Sequence, residues 1–207
     1  MASFLSGCAG KAKKPSLSAR SPTVLKPLPD FREDGIASWY GYPYHGRKTS
    51  NGEIYDMHRL TAAHRTLPLG TWVYVTNLEN GKRVKVRIND RGPFVWGRVI
   101  DMSKAGAAAL GFEQQGLARV SLSLAEPIPE IVLIKQRFAI QVGAFIVKDN
   151  ADNLKVRLEK GYQQVYLEQY YEFFRVRIGG YLSKDAAEKE AFRLAKEGFY
   201  PFITSQD

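Results

Sequence analysis

The sequence RINDRGPF, residues 87–94, joins the end of a strand to a stiff turn. Apolar and basic residues alternate over residues 82–88, as in a strand with one buried face. Asn89 and Asp90 then run into Arg-Gly-Pro, where proline removes a backbone donor and ends the ladder. The pattern therefore places a carboxylate at a strand end, where rigid scaffolds commonly carry binding and catalytic groups.

The residues around this stretch predict a small β-barrel. Short strands are predicted at residues 71–77, 82–88, 99–103 and 118–125. Asn80-Gly81, between the first two, is typical of a tight hairpin turn, and Ser103 is placed to cap a small helix over residues 104–110. Many short strands punctuated by Gly and Pro, with one small helix, favour a compact barrel over residues 35–126.

A second unit is predicted after two prolines. Pro127 and Pro129 break both helix and strand, so residues 127–135 are interpreted as a linker. Residues 136–207 have the order βαββαβ, the split-βαβ layout of a ferredoxin-like α+β sandwich. Its first helix is expected to be capped by Asp149 or Asn150 and its second by Ser183.

Alternation assigns the two faces of the second sheet. Inward positions are predicted at Phe138, Ile140, Val142, Phe174, Val176 and Ile178. The opposite, exposed face would carry Gln141, Phe173, Arg175 and Arg177. Two interpretations stay open for it: a surface that binds an acidic or polyhydroxyl polymer, or an ordinary solvated face. An RNA-binding sheet would need stacking aromatics on both central strands, which disfavours that use here.

Amino-acid composition limits the kinds of partner that the protein can bind. The 207 residues carry a formal net charge of +9, which favours nucleic acid, anionic lipid or a polyanionic wall polymer. There is no long basic run of the kind found in nucleic-acid arms, and no apolar run near the roughly 18 residues of a membrane helix. The single cysteine excludes an intrachain disulfide and Cys/His metal spacing, so no metal and no cofactor are expected.

That cysteine, Cys8, lies in Leu5-Ser6-Gly7-Cys8, which is similar to a bacterial lipoprotein signal. In that interpretation cleavage precedes Cys8 and lipid is attached to it. Residues 1–34 are then the remnant of the signal and a flexible tether rich in Lys, Pro, Ser and Ala. A free thiol in an unstructured segment is the alternative.

Four polar residues of the predicted barrel are catalytic candidates: Glu53, His64, Asp90 and Asp101. Asp101 has apolar neighbours, so its carboxyl must be hydrogen-bonded or have a shifted pKa. Two carboxyls facing one cleft, one protonated and one ionised, are what acid/base cleavage of a glycosidic bond requires. Purely structural roles stay open for all four: turn cap, helix cap, buried histidine and solvated loop residue.

Aromatic residues are dense beside these candidates. The segment SWYGYPYHG, residues 38–46, is typical of either a sugar-stacking surface or the core of a small barrel. We expect Trp39 and Tyr40 to pack in the core. Tyr42, Tyr44 and Trp96 are expected in an open groove.

Three segments resemble the rare lipoprotein A family: GIASWYG at 35–41, the stretch HGRKTSNG to RINDRGPF at 45–94, and RVIDMSKAGAAALGF at 98–112. The resemblance implies a six-stranded double-psi β-barrel related to expansins. FAIQVGAF at 138–145 and FRVRIGGY at 174–181 resemble a SPOR domain. Such domains bind peptidoglycan glycan strands that lack stem peptides and gather at the division septum.

The resemblance also implies an activity. Active family members are lytic transglycosylases, which cleave the MurNAc–GlcNAc β-1,4 bond without water and leave 1,6-anhydro ends. Glu53, His64 and Asp90 match residues that the family needs, and Asp101 matches the essential acid of expansin-like barrels. We expect Asp101 or Asp90 to be the acid. Glu53 is expected to position the substrate or to support the developing oxocarbenium charge, and His64 to orient one of the carboxyls.

The expected partners and location follow from the same resemblance. Arg91 is assigned to the MurNAc lactate group, and peptide-free glycan is the partner. Cys8 would anchor a monomer to the outer membrane, on its periplasmic face, with enrichment at the septum, and no nucleic acid is expected. The alternative is a non-catalytic, expansin-like protein that only binds the wall.

Overall fold

The computed structural model describes residues 31–206, and the predicted lipidation at Cys8 lies outside them. These residues contain ten strands and four helices. In the first half they are β1 (Arg32–Tyr40), β2 (Thr61–His64), β3 (Trp72–Asn77), β4 (Arg83–Asp90), β5 (Arg98–Ser103), α1 (Lys104–Leu110) and β6 (Leu117–Leu124). In the second half they are α2 (Glu130–Lys135), β7 (Arg137–Phe145), α3 (Lys148–Glu159), β8 (Val165–Tyr170), β9 (Phe173–Tyr181), α4 (Lys184–Lys196) and β10 (Phe202–Gln206).

The first six strands close into a barrel in the order β1-β5-β2-β4-β3-β6, which confirms the predicted fold. The pairs β1/β5 and β2/β4 are parallel and the others are antiparallel. Closure removes the open strand edges that would otherwise invite aggregation. Strand β1 begins at Arg32, so residues 32–34 belong to the barrel and not to the predicted tether.

Alternate apolar side chains fill the barrel. The fully buried ones include Val73, Val75, Val86, Ile88, Val120 and Leu122. Each such side chain contributes about 1.5–3 kcal/mol by leaving water. Strands β1 and β5 approach closely because residue 35 is glycine: a Cβ there would lie 2.4 Å from Cγ1 of Val99.

Helix α1 confirms its predicted start. The Ser103 hydroxyl accepts the Gly106 N–H at 3.1 Å, which satisfies one free donor of the first turn. Gly111, at φ 74°, ends the helix in the left-handed conformation.

The second half is a four-stranded antiparallel sheet in the order β10-β7-β9-β8 with α3 and α4 packed on one face. The predicted βαββαβ order is confirmed, and β7 and β9 are the central neighbours. Ser183 caps α4 as expected, through the Ala186 N–H at 3.2 Å. The predicted cap of α3 is wrong, because that helix follows Val147 with no side-chain cap.

The face opposite the helices is not exposed, which corrects the sequence prediction. Gln141, Arg175 and Arg177 are only 4%, 7% and 4% exposed, and Phe173 is half-buried. Part of this face borders the barrel, and Arg177 is in addition covered by Glu168 of β8, at 2.9 Å. Alternation correctly separated the two faces but could not show what lies against the second one.

Two further contacts join the two halves. Strand β10 runs beside the β2–β3 loop, where the Ser205 N–H donates to the Arg65 carbonyl at 2.8 Å. Residues 127–135, predicted as a linker, contain helix α2, and Ile128 and Leu133 pack against the barrel core. This segment is therefore part of the packed structure.

Candidate active site

The candidate site is an open cavity of about 590 Å³ between the barrel and the second sheet. The register of four adjacent strands builds its floor. Ser38 of β1 pairs with Asp101 of β5, and Ala63 of β2 pairs with Asp101 on one side and Asp90 of β4 on the other. We call Ser38, Asp101, Ala63 and Asp90 the four-strand row. Residues opposite each other in a sheet share a face, so the small Ala63 separates two carboxyls, about 10 Å apart at the backbone.

A local irregularity brings Asp90 into this row. Ala62 pairs with Ile88, but Ala63 pairs with Asp90, so Asn89 is skipped in the ladder. Such a bulge re-aims the side chain that follows it. After Asp90, the turn runs through Gly92, at φ 152°, where a Cβ would lie 3.7 Å from Asp101 Oδ2. Glycine here keeps the cavity open beside the second carboxyl.

The Asp90 carboxylate is buried and receives several donors. Its Oδ1 accepts the Ser50 N–H at 3.0 Å, the Ser50 hydroxyl at 2.7 Å and the Arg91 N–H at 2.8 Å. The Tyr170 hydroxyl from β8 lies 3.1 Å from Oδ1 and 3.0 Å from Oδ2. This set of donors suits an ionised carboxylate, which only accepts hydrogen bonds.

The Asp101 carboxyl has a different environment. Burial raises its pKa, and the Ser38 hydroxyl, which donates to Oδ1, and the Arg98 guanidinium, 3.5 Å from Oδ2, only partly oppose this. A carboxyl with a raised pKa holds its proton to higher pH and can donate it to a leaving oxygen. The two carboxyls of the cavity thus lie in different environments.

Arg91 borders the cavity, where a contact with substrate is predicted, but its guanidinium is bonded to backbone carbonyls. The side chain is buried and donates to the backbone carbonyls of His64 at 3.0 Å and Leu67 at 2.7 Å. It fixes the Asp90 turn to the end of β2. Arg98, half-buried at the cavity, is the cation that sequence reasoning missed there.

His64 points away from the two carboxyls. It follows Ala63 on the strand, so its ring takes the opposite side, where Nε2 lies 2.9 Å from Glu33 Oε2. Nδ1 accepts the N–H of Leu67 at 2.9 Å, and burial lowers the pKa of the imidazole. The structure therefore does not bring His64 into the cavity. His64 instead holds Leu67 in the loop after β2, and Arg91 binds the carbonyl of the same residue.

Glu53 also lies outside the cavity. Its carboxylate makes a bidentate pair with Arg87, at 2.8 and 2.7 Å, and this pair is the main reason that its pKa falls to about 2. The Glu53 carbonyl accepts the Thr49 N–H at 2.8 Å, closing the turn that carries Ser50. Glu53 is thus linked to Asp90 through Ser50, and it does not line the cavity where it is predicted to position the substrate.

Aromatic side chains line the cavity, as predicted for Tyr42 and Tyr44. Trp39 and Tyr40, expected in the core, also border it, and the buried Tyr40 hydroxyl has no hydrogen-bond partner among residues 31–206. Trp96 is elsewhere: its ring lies 5.3 Å from Phe202, beside a separate cavity of about 560 Å³. The predicted groove position of Trp96 is therefore wrong.

Sequence reasoning missed Ser38, Ser50 and Tyr170. Ser38 could have been found, because it lies in the GIASWYG segment next to the aromatic cluster. Tyr170 is 80 residues from Asp90 in the chain and carried no local signal. Within the described part of the chain, no cluster of three or more His, Cys, Asp or Glu could hold a metal ion. None of the helices described is long and apolar enough to cross a membrane.

Comparison with known families gives two matches. The model of the lytic transglycolase family matches residues 32–122, and the SPOR domain model matches residues 135–205. Similar curated proteins carry the name endolytic peptidoglycan transglycosylase RlpA. The one from Vibrio cholerae is 50% identical over 115 residues, which is 56% of this chain and 44% of that protein. The one from Neisseria meningitidis is 57% identical over 105 residues, 51% of this chain and 44% of that protein.

The matched segments thus span less than half the length of these relatives. Among solved structures, a Clavibacter michiganensis expansin is 20% identical with a TM-score of 0.38, covering 54% of this chain and 56% of that one. A Streptomyces papain inhibitor is 21% identical with a TM-score of 0.39, covering 46% of this chain and 96% of that one.

Proposed function

We propose that this chain, a member of the rare lipoprotein A (RlpA) family, is a peptidoglycan lytic transglycosylase. Its substrate is the β-1,4 bond between MurNAc and GlcNAc in glycan strands without stem peptides. The observation that carries the proposal is the four-strand row, which sets two carboxyls of different character on one cavity floor.

Asp101 is the acid in this proposal. It gives its proton to the glycosidic oxygen as the bond from that oxygen to C1 of MurNAc breaks. The C6 hydroxyl of the same sugar then forms the new bond to C1 and returns its proton to Asp101. The nucleophile is intramolecular, which supplies a large proximity advantage without water. Ionised Asp90, across Ala63, stabilises the positive charge that develops on the sugar ring.

Binding residues follow from the cavity lining. Tyr42 and Tyr44 offer rings for sugar stacking, since aromatic faces suit the apolar faces of sugars. Arg98 replaces Arg91 as the residue assigned to the lactate carboxylate of MurNAc. In the second domain, Gln141, Phe173, Arg175 and Arg177 remain the proposed glycan-binding residues, in agreement with the SPOR match.

The location of the protein in the cell is also a proposal. The match to a SPOR domain supports a peptidoglycan-associated protein of the cell envelope. A role at the division septum is part of the proposal. The lipid anchor on Cys8 and the monomeric state belong to the same proposal. The division into a tether at 1–34, a barrel at 35–126, a linker at 127–135 and a SPOR domain at 136–207 stays a prediction, adjusted at Arg32 and α2 as described above.

The test uses the purified chain and peptidoglycan from which an amidase has removed the stem peptides. Mass analysis of soluble products should find 1,6-anhydro ends with the unaltered chain and none with Asp101→Asn. Asp34→Asn, at an exposed carboxylate paired with Arg32, is the matched control and should retain full activity. Binding without anhydro products in the unaltered chain would contradict the proposal and leave an expansin-like wall-binding protein.

A further inference from the structure

The tip of the β8–β9 hairpin, Tyr170–Phe173, is seated in the cavity of the barrel. Asp90 Oδ1 is held by barrel groups, whereas within residues 31–206 the donor to Oδ2 is Tyr170 alone. Oδ2 is therefore the oxygen that the barrel leaves open toward a substrate. In this arrangement the phenol occupies that place, and Asp90 is only 4% exposed.

Neighbouring contacts hold the tip in this position. The Tyr171 hydroxyl donates to the Lys48 carbonyl at 2.8 Å, and the Arg47 guanidinium lies 4.8 Å from the centre of the Tyr171 ring. Arg47 is also 3.6 Å from Glu172. All three contacts join the second domain to the loop that precedes Ser50.

The tip itself is a tight two-residue turn between β8 and β9. Tyr171 is the one non-glycine residue with a positive φ, 54°, among the residues that the structure describes. A two-residue hairpin loop requires a positive φ, so this conformation belongs to the hairpin, which presents Tyr170 and Tyr171 side by side to the barrel.

The proposed glycan-binding face of the second domain is blocked by the same docking. The Arg175 guanidinium is sandwiched between the Tyr170 ring, at 3.7 Å, and the Phe94 ring of the barrel, at 4.6 Å. Two surfaces that each fit glycan are thus turned toward one another, and each covers part of the other.

We propose that the second domain is an intramolecular cover for the active site, which a peptide-free glycan strand displaces by competing for both surfaces. The inference rests on the proposed function, since it concerns control of that same site. The closed arrangement keeps the carboxylate Oδ2 from other ligands. A strand that binds only the open form has its apparent affinity reduced by the open fraction, so weakening the cover raises both affinity and rate.

The test compares cleavage rates of full-length chains on amidase-stripped peptidoglycan. Tyr170→Phe removes only the hydroxyl and should raise the rate at low substrate by about tenfold, the equivalent of one hydrogen bond to a charged group. Glu172→Arg, which repels Arg47, should raise it by about two- to fivefold, as expected for an exposed pair. Adding Arg47→Glu to Glu172→Arg restores the attraction and should return the rate toward that of the unaltered chain.

Glu159→Arg makes the same charge change on α3, away from the contact, and should leave the rate unchanged. A lower rate in Tyr170→Phe would overturn the cover and assign Tyr170 to the catalytic machinery. Equal rates in all variants would overturn it as well.

A second measurement does not depend on turnover. Small-angle scattering of the Asp101→Asn chain should show a larger radius of gyration when stripped glycan strands are added, and Tyr170→Phe should be expanded without glycan. If no chain yields anhydro products but this expansion occurs, the proposed enzyme is wrong and the cover stands. A radius that changes with neither glycan nor Tyr170→Phe overturns the cover.

Discussion

At the residue scale, two aspartates of one cavity acquire different chemistry from their neighbours. Asp90 receives two N–H donors and two hydroxyls, an environment suited to a fixed negative charge. Asp101 has the Ser38 hydroxyl and the Arg98 guanidinium beside it, but burial dominates and raises its pKa. Environment, not residue type, separates the proton donor from the anion.

The pH profile of cleavage should report this difference. The acid must be protonated, so activity is expected to fall as pH rises through the raised pKa of Asp101. The Ser38 hydroxyl bond lowers that pKa, so Ser38→Ala should raise it further and move the alkaline limb to higher pH. The measurement is kcat against pH for both chains. Thr76→Val, which removes a hydroxyl from a barrel strand away from the row, is the control, and an alkaline limb that shifts equally in both variants would contradict the assignment.

At the element scale, short turns hold the catalytic strand ends. The 49–53 turn offers Ser50 to Asp90 and is tied to β4 by the bidentate pair of Glu53 with Arg87. On the other side, Arg91 binds the carbonyls of the β2 end. His64 supports the same loop through Leu67. Of these residues, Glu53 and His64 are linked to the site without lining the cavity.

Glu53→Gln is therefore expected to loosen the 49–53 turn and not to remove a catalytic group. The pair is partly exposed, so the loss in free energy of unfolding should stay within about 1 kcal/mol. The cleavage rate should fall because Ser50 loses its fixed position. The fall should be smaller than in Asp101→Asn, which removes the proposed acid itself. Rates and urea denaturation measure the two effects, with Glu79→Gln on the opposite hairpin as control. Complete loss of activity with unchanged stability would instead place Glu53 at the substrate.

At the scale of the whole molecule, the two halves are joined at more than one place. Beside the hairpin contact, Phe202 of β10 packs on Phe94 and Trp96 of the barrel, with ring centres 6.2 and 5.3 Å apart. The Arg65 carbonyl accepts the Ser205 N–H nearby. These contacts are separate from those of the hairpin, so the proposed release of the hairpin from the cavity does not itself require β10 to leave the barrel.

Removing the β10 contact should separate the unfolding of the two halves. Phe202→Ala deletes a half-buried ring, which costs roughly 3–5 kcal/mol when burial is complete and less here. Calorimetry of the unaltered chain is expected to show one broad unfolding transition. In Phe202→Ala, the second domain should unfold in a separate transition at a lower temperature. Tyr200→Ala, at an exposed neighbouring ring, should change neither. A single unshifted transition in Phe202→Ala would show that this contact does not couple the halves.

Local features of this protein can be predicted from its sequence. Alternation and turn residues set the strands of the barrel, the Ser103 cap and the inward face of the second sheet, because these depend on neighbours a few residues away. The apolar neighbours of Asp101 in the sequence also predicted a partly buried carboxyl, as the structure shows. Which side chains meet, in contrast, depends on the tertiary structure. The skipped Asn89 brings Asp90 beside Ala63, strand alternation turns His64 away, and Tyr170 arrives from the other domain. Strand register and domain docking are fixed by contacts between distant residues, so no local pattern encodes them.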